Sequence, residues 1–190
     1  MVAVTGLPGS GKSLVAQVIA EYLKLPLISM GDLVREEVKR RGLELTPWNL
    51  EVVAIELRRE RGSSVVAQML LEEVKRRGLS SEGLVVDGVR SLEEVKVLSS
   101  LGRVCVVGVF APPRLRFERL LKRGRVGDVK SLEEFKMRDW YNLNYGIGNL
   151  LALADYMIVN DSTPEDLARA SRAVAEEIRV AYENCGRGRD

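Results

Sequence analysis

The chain reads as an α/β domain, a doubly wound parallel sheet of five strands with helices between them. Three observations predict this. Short apolar runs alternate along the chain with longer stretches whose apolar residues recur at helical spacing. One run, residues 103–110, is almost continuously apolar and rich in valine, as a strand buried on both faces must be. A glycine-rich turn joins the first strand-like run to the first helix-like one, and connections of this kind carry the ligands of such sheets.

Met1-Val2-Ala3-Val4-Thr5 is the first strand, and a helix is expected from Leu14 to Leu23. Between them, Gly6-Leu7-Pro8-Gly9-Ser10-Gly11-Lys12-Ser13 fits G-x-x-x-x-G-K-[ST] at every fixed position. In that context backbone N–H groups of the loop and first helical turn point at one spot, and the helix dipole favours an anion there. The pattern predicts a phosphate cradle in which Lys12 reaches the β- and γ-phosphates of a nucleotide and the Ser13 hydroxyl ligates Mg²⁺.

Pro26-Leu27-Ile28-Ser29 gives a brief second strand, followed by a helix from Met30 to about Arg41. Thr46-Pro47 is an N-cap with proline at the first helical position, so a helix runs from there to about Arg61. Gly62-Ser63 breaks it, and a further helix ends near Arg77. The octapeptide Glu-Glu-Val-Lys-Arg-Arg-Gly-Leu occurs at 36–43 and again at 72–79 with no wider self-similarity, as two helix ends sharing one capping chemistry. The apolar positions of this helical insertion, among them Val53, Leu57, Val65, Met69, Leu70 and Val74, are expected to be packing surface.

Residues 83–87 form the third strand, which ends in Asp87, and Ser91-Leu92-Glu93-Glu94 is a capping box. Residues 103–110 are the fourth. Pro112-Pro113 opens a helix bearing Arg114, Arg116, Arg119, Lys122 and Arg123. Residues 124–129 are polar and glycine-containing, a mobile loop with little to bury, and another helix begins near Ser131. Residues 154–159 are the fifth strand, a long helix is capped by residues 160–164, and disorder is expected over 185–190.

Of 190 residues 46% are hydrophobic, enough for a single domain over 1–184 with its own core. The formal net charge of +2 does not demand nucleic acid; the basic helix ends leave an RNA or ribosomal partner open, with solvated helix ends the simpler account. Arginine far outnumbers lysine, which suits bidentate phosphate recognition and is also what a biased composition produces. There is no histidine, so histidine-activated nucleophiles and histidine metal sites are excluded. The two cysteines lie at 105 and 185 without zinc or disulfide spacing, consistent with a reducing cytoplasm. The phosphate loop begins at residue 6, so no signal peptide is expected, and no apolar run is long enough for a membrane.

These residues carry a family likeness. Over roughly its full length the chain resembles P-loop nucleoside monophosphate kinases, adenylate kinases especially, and among them an archaeal adenylate-kinase-related group. Gly31-Asp32-Leu33-Val34-Arg35 is similar to the G-D-M-L-R stretch whose arginine holds the acceptor's phosphate. Asp87-Gly88-Val89-Arg90 is similar to D-G-F-P-R, one residue shorter, with its acid near Mg²⁺ and its arginine on the acceptor. Arg119 and Arg123 resemble the arginine pair that begins the lid, and Arg138-Asp139 its exit. Residues 154–163 resemble the last strand and base-contacting loop, also seen in dephospho-CoA kinases. Met30 stands where adenylate kinases place a threonine, and the glutamine that reads the acceptor's adenine has no counterpart.

The resemblance implies a P-loop NTPase sheet of the nucleotide-kinase type, a helical acceptor-binding insertion at about 30–79 and a short lid at about 124–139. It implies an enzyme that moves the γ-phosphate of ATP, with Mg²⁺, to a nucleotide-like phosphate. The implied catalytic residues are Lys12, Arg123, Arg138 and Asp87. Residues 6–13 and Arg119 would bind ATP, Ser13 and Asp87 the metal, and Asp32, Arg35 and Arg90 the acceptor. Two other readings stay open: a small-molecule kinase using Asp32 as general base, and an assembly factor using slow ATP hydrolysis as a switch.

Overall fold

A computed structural model describes residues 1–79 and 83–187. Five parallel strands form one sheet: β1 (Val2–Thr5), β2 (Leu27–Ser29), β3 (Val85–Asp87), β4 (Cys105–Phe110) and β5 (Tyr156–Val159). Their spatial order is β2-β3-β1-β4-β5. The order reverses beside β1, which pairs with β3 on one side and β4 on the other. A ligand crevice is expected at that reversal, outside the carboxyl ends of the strands.

Period-two alternation decides which core each strand residue enters. Ala3, Ile28, Val86 and Val106 face one layer, while Val2, Val4, Val85, Val107, Val109 and Ile158 face the other. The second layer is covered by α1 (Lys12–Leu23) and α9 (Pro164–Arg187), through Val15, Ile19, Leu167, Ala175 and Ile178. The first is covered by the helical insertion, α2 (Met30–Arg40), α3 (Pro47–Arg61) and α4 (Val65–Arg76), together with α5 (Leu92–Leu98). Val53, Leu57, Val65, Leu70 and Val74 are buried there, and Met30 is too, as core rather than cleft wall.

The capping chemistry holds with one variation. Thr46 accepts the Asn49 N–H, and Ser91 accepts the Glu94 N–H at 3.2 Å. The Glu94 carboxylate, however, reaches the N–H of Arg90 and not that of Ser91. In both copies of the octapeptide the second glutamate binds the arginines three and four residues on: Glu37 with Arg40 and Arg41, Glu73 with Arg76 and Arg77.

Beyond β4 come α6 (Pro113–Arg123), α7 (Leu132–Asn144) and a six-residue helix, α8 (Ile147–Ala152). The sequence offers no N-capping side chain for α8, which begins at a left-handed Gly146 and is held by buried Ile147 and Leu150. Two expectations change. Residues 124–129 are not free of burial: Val129 packs with Leu120 and Phe135, and Asp128 is buried with it. Helix α9 continues to Arg187, past residue 185 where disorder was expected; residues 188–190 lie outside the described residues. Among the described residues no helix is long and apolar enough to cross a membrane.

Candidate active site

The loop between β1 and α1 is shaped by what surrounds it. Gly9 and Gly11 have φ of 83° and 93°, a region where side chains are strained. A Cβ on Gly9 would meet the Arg116 carbonyl oxygen at 2.7 Å, and one on Gly11 would collide with the Asn160 amide nitrogen. Both intruders hold the loop. Arg116 donates from Nη1 to the Pro8 carbonyl at 3.1 Å and from Nε to that of Ala111. Asn160 Nδ2 donates to the Ser10 carbonyl at 2.8 Å. Asp139 grips the far side of the Arg116 guanidinium with both oxygens. The loop is thus bolted to α6, α7 and the segment after β5. Neither Arg116 nor Asn160 was singled out from sequence, because nothing local marks them.

The loop opens onto a cleft of about 340 Å³. Its walls bring together Gly6, Pro8, Gly9, Lys12, Ser13, Asp32, Arg35, Asp87, Arg90, Arg123 and Arg138. Lys12 and Ser13 come from the first turn of α1, Asp32 and Arg35 from α2, Asp87 from the end of β3 and Arg90 from the segment between β3 and α5. Arg123 ends α6 and Arg138 lies on α7. Leu7, Ser10, Gly11 and Arg119 are not on the wall. Ser10 is buried beneath the loop, and Arg119 instead donates to the Asn160 carbonyl and side chain and to the Ser162 carbonyl. Arg125 and Asn142, which the sequence does not mark, also line the cleft.

The electrostatics are lopsided. Six cationic side chains, Lys12, Arg35, Arg90, Arg123, Arg125 and Arg138, face two carboxylates, Asp32 and Asp87. Lys12 keeps partial surface exposure, yet loss of hydration lowers its pKa; Asp87 opposes the shift, and Arg90, Arg138 and Arg123 add to it. Burial likewise lowers the pKa of Arg138. Two acids steady Arg123 and Arg138. Burial, the largest single influence, raises the Asp128 pKa, but the hydrogen bonds and charge of Arg123, the Arg125 N–H and the charge of Arg138 together leave the group below the usual aspartate range. Glu51, on α3, lies 3.6 Å from Arg138 Nε, and Arg138 also donates to the Gly127 carbonyl at 3.1 Å. On the opposite wall, Asp32 binds Arg35, whereas Arg90 has no carboxylate within ion-pair distance among the described residues. The Arg90 guanidinium lies over the ring of Tyr145 at 5.9 Å, with Arg58 over the same ring at 4.2 Å. Glu94, fully buried, accepts from Arg58 and from the Arg90 N–H.

The residues fit a divalent cation in one specific way. Ser13 Oγ donates to Asp87 Oδ2 at 2.7 Å, while Asp87 Oδ1 is buried without a hydrogen bond. No cluster of three or more acidic, histidine or cysteine ligands exists among the described residues. A cation here would therefore take most of its ligands from phosphate and water, as Mg²⁺ does in nucleotide sites.

A parallel sheet opened at its order reversal by a phosphate loop defines this chain as a P-loop kinase-like protein. A family model described as an AAA domain matches residues 5–136. The chain belongs to the UPF0200 family of archaeal proteins. It is 46% identical over 187 residues to the UPF0200 protein of Thermococcus onnurineus, covering 96% of this chain and 100% of that one. It is 49% identical over 187 residues to that of Aeropyrum pernix, covering 98% and 95%. Solved structures share the fold. A gluconokinase from Sinorhizobium meliloti matches with a TM-score of 0.59 at 17% identity, covering 98% of this chain and 96% of that one. A shikimate kinase from Acinetobacter baumannii, in complex with shikimate, matches at 0.54 and 17%, covering 96% and 93%.

Proposed function

We propose that this protein transfers the γ-phosphate of ATP to the phosphate of a nucleotide-like acceptor. The observation that carries the reading is the excess of cationic side chains converging on one cleft from both ends. One group, Lys12, Arg123 and Arg138, borders the phosphate loop and lid; the other, Arg35 on α2 and Arg90 in the segment after β3, comes from the opposite wall. A γ-phosphoryl group alone does not need so many cations, but two phosphate-bearing substrates do.

In this reading an oxygen of the acceptor phosphate attacks the γ-phosphorus, the bond to the β–γ bridging oxygen breaks, and ADP leaves. Such a nucleophile needs no base, so a chain without histidine loses nothing. Lys12, Arg123 and Arg138 neutralise the transferring oxygens, and Arg35 and Arg90 align the acceptor. Mg²⁺, when bound, neutralises charge on the β- and γ-phosphates; Ser13 and Asp87 are the residues that would hold it. Asp128 and Glu51 keep the two lid arginines from folding onto the phosphate loop before substrate arrives. Arg119 and Asn160 lie on the side of the loop where the donor's base is expected from the family likeness.

A second reading, transfer to a hydroxyl, is favoured by one observation: Asp32 lines the same cleft and is placed to take a proton. A single screen separates the two. ATP consumption is measured with nucleoside monophosphates, dephospho-CoA and hydroxy acids as acceptors, with water as the blank. Stimulation by a monophosphate supports the first reading; stimulation by hydroxyl acceptors alone replaces it with the second. Equal, slow hydrolysis under all conditions removes both.

A further inference from the structure

Tyr145 closes α7, one residue before the left-handed Gly146 that opens α8, and two charge networks meet on it. Its ring carries two guanidinium groups: Arg58 lies 4.2 Å and Arg90 5.9 Å from the ring centre. The two arginines are not equivalent. Arg58 is bound to the fully buried Glu94 at 2.9 Å and to the Ala54 carbonyl at 3.1 Å. Arg90 gives Glu94 only its backbone N–H, and its guanidinium has no carboxylate within ion-pair distance among the described residues. A ring face attracts a cation without taking up its N–H donors. Tyr145 can thus hold Arg90 at the cleft wall with those donors left for an anion. At its other end the Tyr145 hydroxyl donates to Glu51 Oε2 at 3.3 Å, and Glu51 Oε1 lies 3.6 Å from Arg138 Nε. Burial, with Glu51 beside it, pushes the Tyr145 pKa up to about 12, so the hydroxyl keeps its proton. One side chain therefore bears on two cleft arginines that come from different elements.

We propose that Tyr145 is a positioning residue that sets both Arg90 and Arg138, the first through its ring and the second through its hydroxyl and Glu51. The inference rests on reading the cleft as a phosphate-acceptor site, in which Arg90 aligns the acceptor and Arg138 neutralises the transferring group. The two halves of one side chain then serve the two ends of the reaction. Losing the ring releases Arg90 from the wall, and the acceptor binds less well. Losing the hydroxyl alone frees the second oxygen of Glu51 to turn on Arg138, which ties that arginine more tightly and slows transfer. A tyrosine that only fills space would not divide its effects in this way.

Two variants of the full chain separate the halves: Tyr145→Phe keeps the ring and removes the hydroxyl, and Tyr145→Leu removes both. Turnover is measured at saturating ATP with AMP, CMP, GMP and UMP in turn as acceptor. Tyr145→Phe should lower kcat about two- to tenfold, the scale of one hydrogen bond, with acceptor KM unchanged. In a Glu51→Gln background the same substitution should have no further effect on kcat, since the hydroxyl acts through that carboxylate. Tyr145→Leu should add a rise in acceptor KM of about three- to thirtyfold, the scale of one cation–π contact. Side-chain N–H spectra of isotope-labelled chain read the positions directly, with no acceptor present. The Arg58 and Arg90 Nε–H signals, identified by their loss in lysine variants, should be displaced upfield by the ring. Tyr145→Phe should keep that displacement and Tyr145→Leu abolish it. Equal proportional changes of kcat and KM in both variants overturn the proposal, as does an Arg90 signal indifferent to loss of the ring. Should Tyr145→Leu fail to fold, an Arg90 signal in the unmodified chain at the position of exposed arginines overturns it instead. If no monophosphate stimulates turnover, the phosphate-acceptor reading fails, while the arginine signals still decide whether Tyr145 holds Arg90.

Discussion

Ser13 Oγ and Asp87 Oδ2 lie 2.7 Å apart in a hydrogen bond that joins the first turn of α1 to the end of β3, 74 residues away in sequence. The other oxygen of Asp87 is buried and unpartnered. An unsatisfied buried acceptor costs about 1–3 kcal/mol, more when charged. A divalent cation between this pair and a nucleotide removes that cost. Asp87→Asn should therefore raise the Mg²⁺ concentration needed for half-maximal binding of an ATP analogue, by about tenfold or more on the same magnitude. The nucleotide-free protein should melt no lower than the unmodified one, because a buried charge has gone. Magnesium titrations and thermal melts of the two proteins check both halves.

Lys12→Ala should cut turnover by about a hundredfold or more, the scale of losing one preorganised charge. It should leave the fold intact. Loss of hydration disfavours the Lys12 charge, and Arg90, Arg138 and Arg123 add to that against the attraction of Asp87. Removing Lys12 ends a net penalty, desolvation and repulsion exceeding the Asp87 attraction, and should hold or raise Tm. A mutant that melts normally and turns over normally would remove the phosphotransferase reading.

Arg35→Ala and Arg90→Ala should act on the acceptor and spare ATP. A hydrogen bond to a charged group is worth about 1.5–3 kcal/mol, so kcat/KM for the acceptor should fall roughly tenfold to a hundredfold. Arg90 should be the more sensitive, since no carboxylate competes for it among the described residues, whereas Arg35 is already bound to Asp32. Lysine at either position should recover only part of the loss, lacking the planar fork. Acceptor kinetics at saturating ATP, with ATP affinity measured separately, test the split.

Arg116→Ala should be the most destabilising of the arginine substitutions. The residue is 2% exposed, ties the phosphate loop to α7, and would leave Asp139 and two backbone carbonyls without their donor. Breaking a buried pair from one side costs about 3–5 kcal/mol. Arg116→Lys should not rescue it, because one ammonium cannot serve three directions at once. Urea unfolding of both variants gives the comparison.

Acid should weaken the insertion. Arg40 draws the Glu37 pKa down to about 2 against an opposing effect of burial, with Arg41 adding to it; Arg76 and Arg77 do the same for Glu73. A folded-state pKa below the unfolded value of about 4.3 gives stability that is whole above that pH. It is lost as pH falls toward 2. Tm should thus decline between about pH 5 and pH 3, and the Glu37→Gln, Glu73→Gln double variant should show a shallower decline. Equal slopes in melts across that range would count against these pairs.

Much of this architecture was legible because its determinants are local. The phosphate loop needs a few residue types in fixed order between a strand and a helix, all within residues 1–23. Thr46, Ser91 and Ser131 cap helices through groups three residues away, and the two octapeptides repeat their glutamate–arginine clusters because the spacing dictates it. Asp87 could be named because it ends a strand, and strand ends of a parallel sheet face one cleft; Asp32 and Arg90 are named through the motifs the family resemblance carries.

The rest depended on which distant groups meet. Arg116 and Arg119 are three residues apart on one helix and look alike in sequence, yet one is bolted under the phosphate loop and the other turns to the segment after β5. Asp128 sits in a stretch too polar to read as packed, but it is buried because Arg123 satisfies it. Glu51 lies on a helix whose pattern promises only core, and it gains its meaning from α7, nearly ninety residues on. Sequence determined that this chain makes a P-loop turn between the first strand and first helix of a parallel sheet, since backbone geometry and spacing suffice for that. Tertiary structure alone decided which charges are bound and which are left facing the cleft, because a charged side chain is silenced or freed by its partner, and the partner is chosen by the fold.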